Sequence, residues 1–274
     1  MTTPSPTFWR SVEAIHDVVY FARDAKERYE AVGLKGYWMG YAASRSAALG
    51  APGPATVAAL FHGFAPGLLA RALPDAWAMG DRDAILGARL DLARAALGDV
   101  PAELADSLLA ATRGLDFAGR PLAAAHADVP APTDPAGRLW HAATVFREYR
   151  GDSHVAVLTA AGLDGAAANA LAEAAGLVAP GQRLLRGWTE DEWAAAIDRL
   201  RQRGWCTPDG ALTESGRAAR AQLESATDRV SCSGVDDEAR ARSLTLESGL
   251  AQIARGLVES GAVAYPNPTG TAAP

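Results

Sequence analysis

The chain has 274 residues, 49% of them hydrophobic and 21% charged, the balance of an ordinary globular protein, which excludes a disordered or fibrous chain. Its net charge of -6 weighs against nucleic-acid binding, because a protein that holds DNA neutralises several phosphates with Lys and Arg. Two isolated cysteines, Cys206 and Cys232, exclude a disulfide framework or a paired zinc motif.

The opening residues Met1–Thr7 lack the basic start and apolar run of a signal peptide. No apolar stretch reaches the roughly 18 residues that a bilayer span requires. Cytoplasmic location and no membrane partner are therefore the expectation. Val12, Ile15, Val18 and Val19 recur at helical spacing and predict a first helix. Residues 34–49 read as a second, and Pro52 and Pro54 precede a third over Thr56–Phe64. Pro66 suits the first turn of a helix through Leu68–Leu73. Asp81–Leu97, closed by Gly98, and Pro101–Thr112 are helical by the same periodicity.

Residues 127–137, with three prolines, are the best linker candidate. They divide an N-terminal helical lobe (1–126) from a C-terminal one (138–262), and the polar tail 263–274 reads as disordered. Beyond the linker, helices are predicted at 138–150, 153–162 and 164–175. Gly151 would end the first of these, and Asp152 or Ser153 would cap the second. Trp38 and Arg45 recur as Trp140 and Arg147, both at spacing seven, and 64–73 resembles 162–171. These matches raise the expectation of two pseudo-repeated lobes.

From Thr189 to Val230 the pattern is sharper. Thr189 and Glu192 form a capping box. Trp193, Ala196, Ile197 and Leu200 give one buried face, and Gly204 ends the helix. Trp205–Cys206 and Ala211–Leu212 flank the turn Pro208-Asp209-Gly210, which predicts a short β-hairpin. Thr213 then caps a last amphipathic helix. The phrase LRQRGWCTPDGALTESGRA within this stretch resembles the MarR family. That resemblance implies a winged-helix unit at about 181–230, with Glu190–Arg203 as recognition helix and the hairpin as wing. Over most of its length the chain also resembles an actinobacterial group of helix-turn-helix proteins, through YFARDAKERYEAVGLKGYWMGY, FAPGLLARALPDAW and REYRGDSHVA. The fold class expected is mainly α, multi-helical, with a C-terminal winged helix.

The charges of this unit oppose the usual role of such a helix. A recognition helix offers its N-terminal residues to bases and phosphates, and here they are Glu190, Asp191 and Glu192, with Asp198 beyond. Residues 181–230 carry eight Arg against eight Asp plus Glu, so the segment is not basic. An eleven-residue insert at 177–187 also separates this helix from the preceding one, unlike a tight helix-turn-helix. If DNA is bound, Arg199, Arg201 and Arg203 are the candidates for phosphate contact.

Arg147, Glu148, Tyr149, Arg150, Asp152, Ser153 and His154 crowd polar groups into eight residues. Guanidinium groups there suit a carboxylate or phosphate, and His154 suits proton transfer. Equally, the same groups suit an ion-pair network that fixes the local structure. Trp38, Tyr41 and Arg45 with Trp140 and Arg147 form stripes that read either as core or as an aromatic-walled pocket for an anionic or aromatic ligand. The candidate ligand residues are Trp38, Tyr41, Arg45, Trp140, Arg147, Arg150 and His154, with His16, Tyr20 and His62 as possible additions. The five histidines form no HxxxH or HExxH pattern, and there is no phosphate loop or nucleophile elbow, so no metal or cofactor is expected. Two readings stay open: a dimeric, ligand-responsive regulator, or a small-molecule binding protein or enzyme of secondary metabolism that does not bind DNA.

Overall fold

The computed structural model describes residues 4–274, and 71% of the described residues are helical, which makes the fold mainly α. In chain order the helices are α1 (Pro6–Phe21), α2 (Ala25–Ala31), α3 (Gly36–Ser46), α4 (Pro54–Phe61) and α5 (Pro66–Met79). Next come α6 (Arg82–Leu97), α7 (Ala102–Ala111), α8 (Pro121–Asp128) and α9 (Pro135–Ala160). The last are α10 (Gly165–Ala174), α11 (Gln182–Leu185), α12 (Glu190–Gln202), α13 (Glu214–Ser233) and α14 (Asp237–Glu259).

The starts of these helices follow local chemistry. Ser5, Asp81, Asp134, Asp164, Thr189, Thr213 and Asp236 each accept a first-turn backbone N–H through a side-chain oxygen. Proline occupies the first turn of α1, α4, α5, α8 and α9, where its missing N–H costs nothing.

Two hydrophobic clusters organise the chain. The larger is built around α9, which packs against α1, α7 and α8, while α14 closes over α1 and α7. Phe8, Ile15, Leu108, Leu139, Phe146, Tyr149 and Leu250 are all buried in it. The smaller cluster joins the last turns of α9 to α10, α12 and α13 through Leu158, Leu163, Leu171, Ala196, Leu200 and Leu223. Each buried leucine among them contributes about 1.5–3 kcal/mol relative to exposure. One helix therefore anchors both clusters.

Two expectations are corrected. No strand exists among the described residues, so the winged helix with its β-hairpin wing is absent. What stands in its place is a single antiparallel bridge between Cys206 and Leu212, around a turn in which the Thr207 N–H donates to the Ala211 carbonyl at 2.9 Å. The reason is length. α12 ends at Gln202 and Thr213 already caps α13, so too few residues flank the turn to extend a ladder.

The second correction concerns Gly151, which ends nothing: α9 runs unbroken for 26 residues. The residues read as caps have partners far away in sequence. Asp152 Oδ2 accepts the backbone N–H groups of Leu122 and Ala123, at 2.9 and 3.0 Å, and so caps α8. Ser153 Oγ donates to the Tyr149 carbonyl and accepts from Arg120 Nε. The tail 263–274 has no regular structure, yet Val263 and Asn267 are buried.

Candidate functional site

Between α3, α4 and the segment after it on one side, and α9, α10 and α11 on the other, lies a cavity of about 280 Å³. Part of α13 and the tail residues Pro268, Thr269 and Gly270 complete its wall.

One side is aromatic. Trp38 and Tyr41 project from α3 because they lie three residues apart on one helical face. Phe64 meets both edge-on or tilted, with ring centroids 5.9 and 5.3 Å away. Tyr37 and Phe61 extend the same patch.

Next to it the wall is charged and closely paired, with Arg45 Nη1 donating to the Tyr41 hydroxyl at 3.2 Å. Glu148, fully buried, accepts from Arg45 Nε at 2.8 Å and Nη2 at 2.7 Å, a bidentate pair. Arg147 Nη1 donates to the same carboxylate at 2.9 Å and its Nε reaches Glu13 at 3.3 Å. Burial alone would raise the Glu148 pKa, but Arg45 and Arg147 hold it well below the ordinary carboxylate value. No guanidinium bonds directly to Asp152, and burial pushes its carboxyl up to about 7 against the pull of Arg45 and two backbone N–H groups.

His154, also on the wall, is paired through Nδ1 with Thr227 Oγ1 at 2.8 Å, and burial pulls it down to about 4. His154 is therefore neutral near pH 7.

Of the residues expected to bind a ligand, Trp38, Tyr41, Arg45, Arg147 and His154 line this one cavity. Trp140 does not. It stacks parallel to His16, donates Nε1–H to the His16 carbonyl at 3.2 Å, and faces a smaller cavity of about 120 Å³ with Arg89, His126 and His141. Arg150 points the other way and bridges Glu224 and Asp228 on α13. Tyr20 is on the main wall, and so is His62; His16 instead sits in the buried network, between Thr144 and Tyr20.

Two wall residues carry more than the sequence reading gave them. Arg186, just after α11, lays its guanidinium over Phe64 at 4.5 Å from the ring centroid and gives Nη2–H to the Pro268 carbonyl. Its Nε has no hydrogen-bond partner, and no carboxylate pairs with it. Burial lowers its pKa, and the like charges of Arg45 and Arg147 add to that. His62 ends α4 with φ 45° and ψ -57°, at the centre of a γ-turn in which the Gly63 N–H donates to the Phe61 carbonyl. Such a backbone is strained for any residue other than glycine. The His62 Nε2 is buried without a partner, and burial lowers its pKa.

The expected DNA-contact residues lie elsewhere, on exposed parts of α12 and its C-terminus. Arg199 pairs with Asp164 at 2.5 Å. Arg201 pairs with Asp198 at 2.9 Å and reaches the Pro208 carbonyl. Arg203 donates to the carbonyls of Ala161 and Gly162, at 2.9 and 2.7 Å. The capping box is present: Thr189 Oγ1 accepts from the Glu192 N–H and the Glu192 carboxylate accepts from the Thr189 N–H. Glu190, Asp191 and Glu192 are all exposed at that tip. Among the described residues no three of His, Cys, Asp and Glu are grouped to hold a metal ion, and no single helix is long and apolar enough to cross a membrane.

The molecule is thus a helical protein in which a cavity abuts a compact α10–α12–α13 unit. Residues 5–264 match the model of a family described as a helix-turn-helix family. The chain belongs to that helix-turn-helix family, a kind of protein associated with DNA-binding regulation. No curated protein and no solved structure matches it.

Proposed function

We propose that the protein is a ligand-responsive regulator whose effector site is the cavity between α3–α4 and α9–α11. The carrying observation is the cavity wall itself. It takes Asn169 and Leu171 from α10, Leu185 from α11 and Leu223 from α13. In this reading those elements build the helix-turn-helix unit; α10 packs directly on α12 and on α11. An occupant touching them has differential contact with any arrangement in which α12 shifts, the requirement for coupling. Family membership supports DNA as the output. In this reading Arg199, Arg201 and Arg203 leave their present partners to contact phosphates, and the protein acts as a homodimer.

A second reading rests on a different observation. The exposed tip of α12 is acidic, and all three arginines are already engaged. Carboxylates at that position repel phosphate, which favours a small-molecule binding protein or enzyme of secondary metabolism on a helix-turn-helix scaffold. Filter binding of the full chain to duplex DNA from upstream of its own gene, at low and at moderate salt, separates the two. Retention that weakens with salt supports the regulator. No retention even at low salt overturns it and leaves the second reading.

A further inference from the structure

We infer that the cavity is built for a planar aromatic monoanion, such as an aryl carboxylate, with its anionic group on Arg186 and its ring against the Trp38–Tyr41–Phe64 wall. This rests on the proposal that the cavity is a small-molecule site and adds the chemistry of the occupant.

Charge balance carries the inference. Arg45 and Arg147 are matched by Glu148 and Glu13, and Arg220 and Arg150 by Glu224 and Asp228. Arg186 alone is left without a carboxylate; Asp152, the one further carboxyl on the wall, is held by the backbone N–H groups of Leu122 and Ala123. Arg186 is half-buried with its Nε shut off from water; a guanidinium so placed costs free energy unless it is paired, and this one finds only the face of Phe64 and one carbonyl. Its unpartnered Nε–H and remaining N–H groups make a fork suited to a carboxylate. One spare cation calls for one negative charge on the ligand.

Shape agrees with charge. Trp38, Tyr41 and Phe64 form an edge-on and tilted aromatic group that favours a flat ring, and about 280 Å³ accommodates a bicyclic acid. The buried Nε2 of the neutral His62 offers one further hydrogen bond to a polar substituent.

The test uses 1-naphthoate and its uncharged counterpart 1-naphthamide, titrated calorimetrically into the full chain, with Arg186→Gln and Arg186→Lys. The expected result is binding of 1-naphthoate to the wild type, weakened by about tenfold or more in Arg186→Gln, as befits a charge-assisted hydrogen bond. Arg186→Lys is expected to restore part of the loss, and naphthamide to bind weakly and alike to all three. Circular dichroism melting shows whether each variant is folded; if Arg186→Gln is not, the naphthoate-to-naphthamide ratio on wild type and Arg186→Lys decides. Equal binding of acid and amide, an unchanged affinity in a folded Arg186→Gln, or no binding of naphthoate at millimolar concentration overturns the inference. Equal binding would still leave the cavity a small-molecule site, and loss of DNA retention would sink the regulator reading without touching this one.

Discussion

Gly165 and His62 touch so closely that a Cβ on Gly165 would lie 1.9 Å from the His62 carbonyl oxygen. The first turn of α10 therefore presses directly on the strained turn that ends α4. The contact is backbone against backbone, so no rotamer change can relieve a larger side chain. It joins the aromatic side of the cavity to the α10–α12–α13 unit, and Asn169 Nδ2 reinforces it by donating to the Gly63 carbonyl at 2.6 Å.

Gly165→Ala is expected to destabilise the fold by about 2 kcal/mol or more, the overpacking cost exceeding the gain in helix propensity. Urea unfolding measures it. A variant as stable as the wild type would mean that the two backbones can separate freely.

Glu148→Gln leaves Arg45 and Arg147 without their shared charge in a buried site. Removing one partner of a buried ion pair costs about 3 kcal/mol or more. The same unfolding experiment is expected to show that loss, larger than for any single change among the exposed α12 arginines.

Asp152 gives a pH dependence of defined sign. Its folded pKa, about 7, lies above the unfolded value near 3.8. Its contribution is therefore fully present below about pH 4 and is lost as the pH rises through 7. Asp152→Asn keeps an oxygen for the Leu122 and Ala123 N–H groups but cannot ionise. Relative to the wild type, the variant is expected to gain stability steadily between pH 4 and 7. A constant difference across that range would remove Asp152 as its source.

Thr189→Ala removes the capping box of α12 and is expected to cost about 1 kcal/mol, read as a lowered melting temperature. Because the cap is exposed, binding of any cavity ligand should survive the change.

Neutralising the same tip, with Glu190→Gln, Asp191→Asn and Glu192→Gln together, tests where it faces. If α12 approaches a duplex, retention of DNA on filters rises at least severalfold at low salt, since three repulsive charges are gone. Unchanged retention would show that the tip points elsewhere.

Local rules read the sequence well where the partners are local. The Thr189–Glu192 capping box, the Trp193–Leu200 face and Gly204 beyond the helix end all follow from residues a few positions apart. The grouping of Trp38, Tyr41 and Arg45 was visible as a helical stripe. Gly151, Asp152 and Ser153 misled because they look like a helix stop and restart, whereas α9 runs through them and the side chains of Asp152 and Ser153 reach partners some thirty residues upstream. The hairpin was expected from turn residues that are present, but strand pairing needs flanking length that the turn chemistry does not report. Arg186 lay in an insert without periodicity, and its significance comes from a missing counter-charge that only three dimensions reveal. The strained φ of His62 leaves no mark in composition at all.

α9 is a continuous rod from the large cluster into the small one. Since it has no joint at Gly151, a push applied near Arg147 cannot dissipate halfway along. Its nearest break is the corner at residues 161–164, where α9 hands over to α10 and Arg203 latches onto the carbonyls of Ala161 and Gly162. α10 leaves the line of α9 at that corner, and the Arg203 latch holds the end of α12 against it.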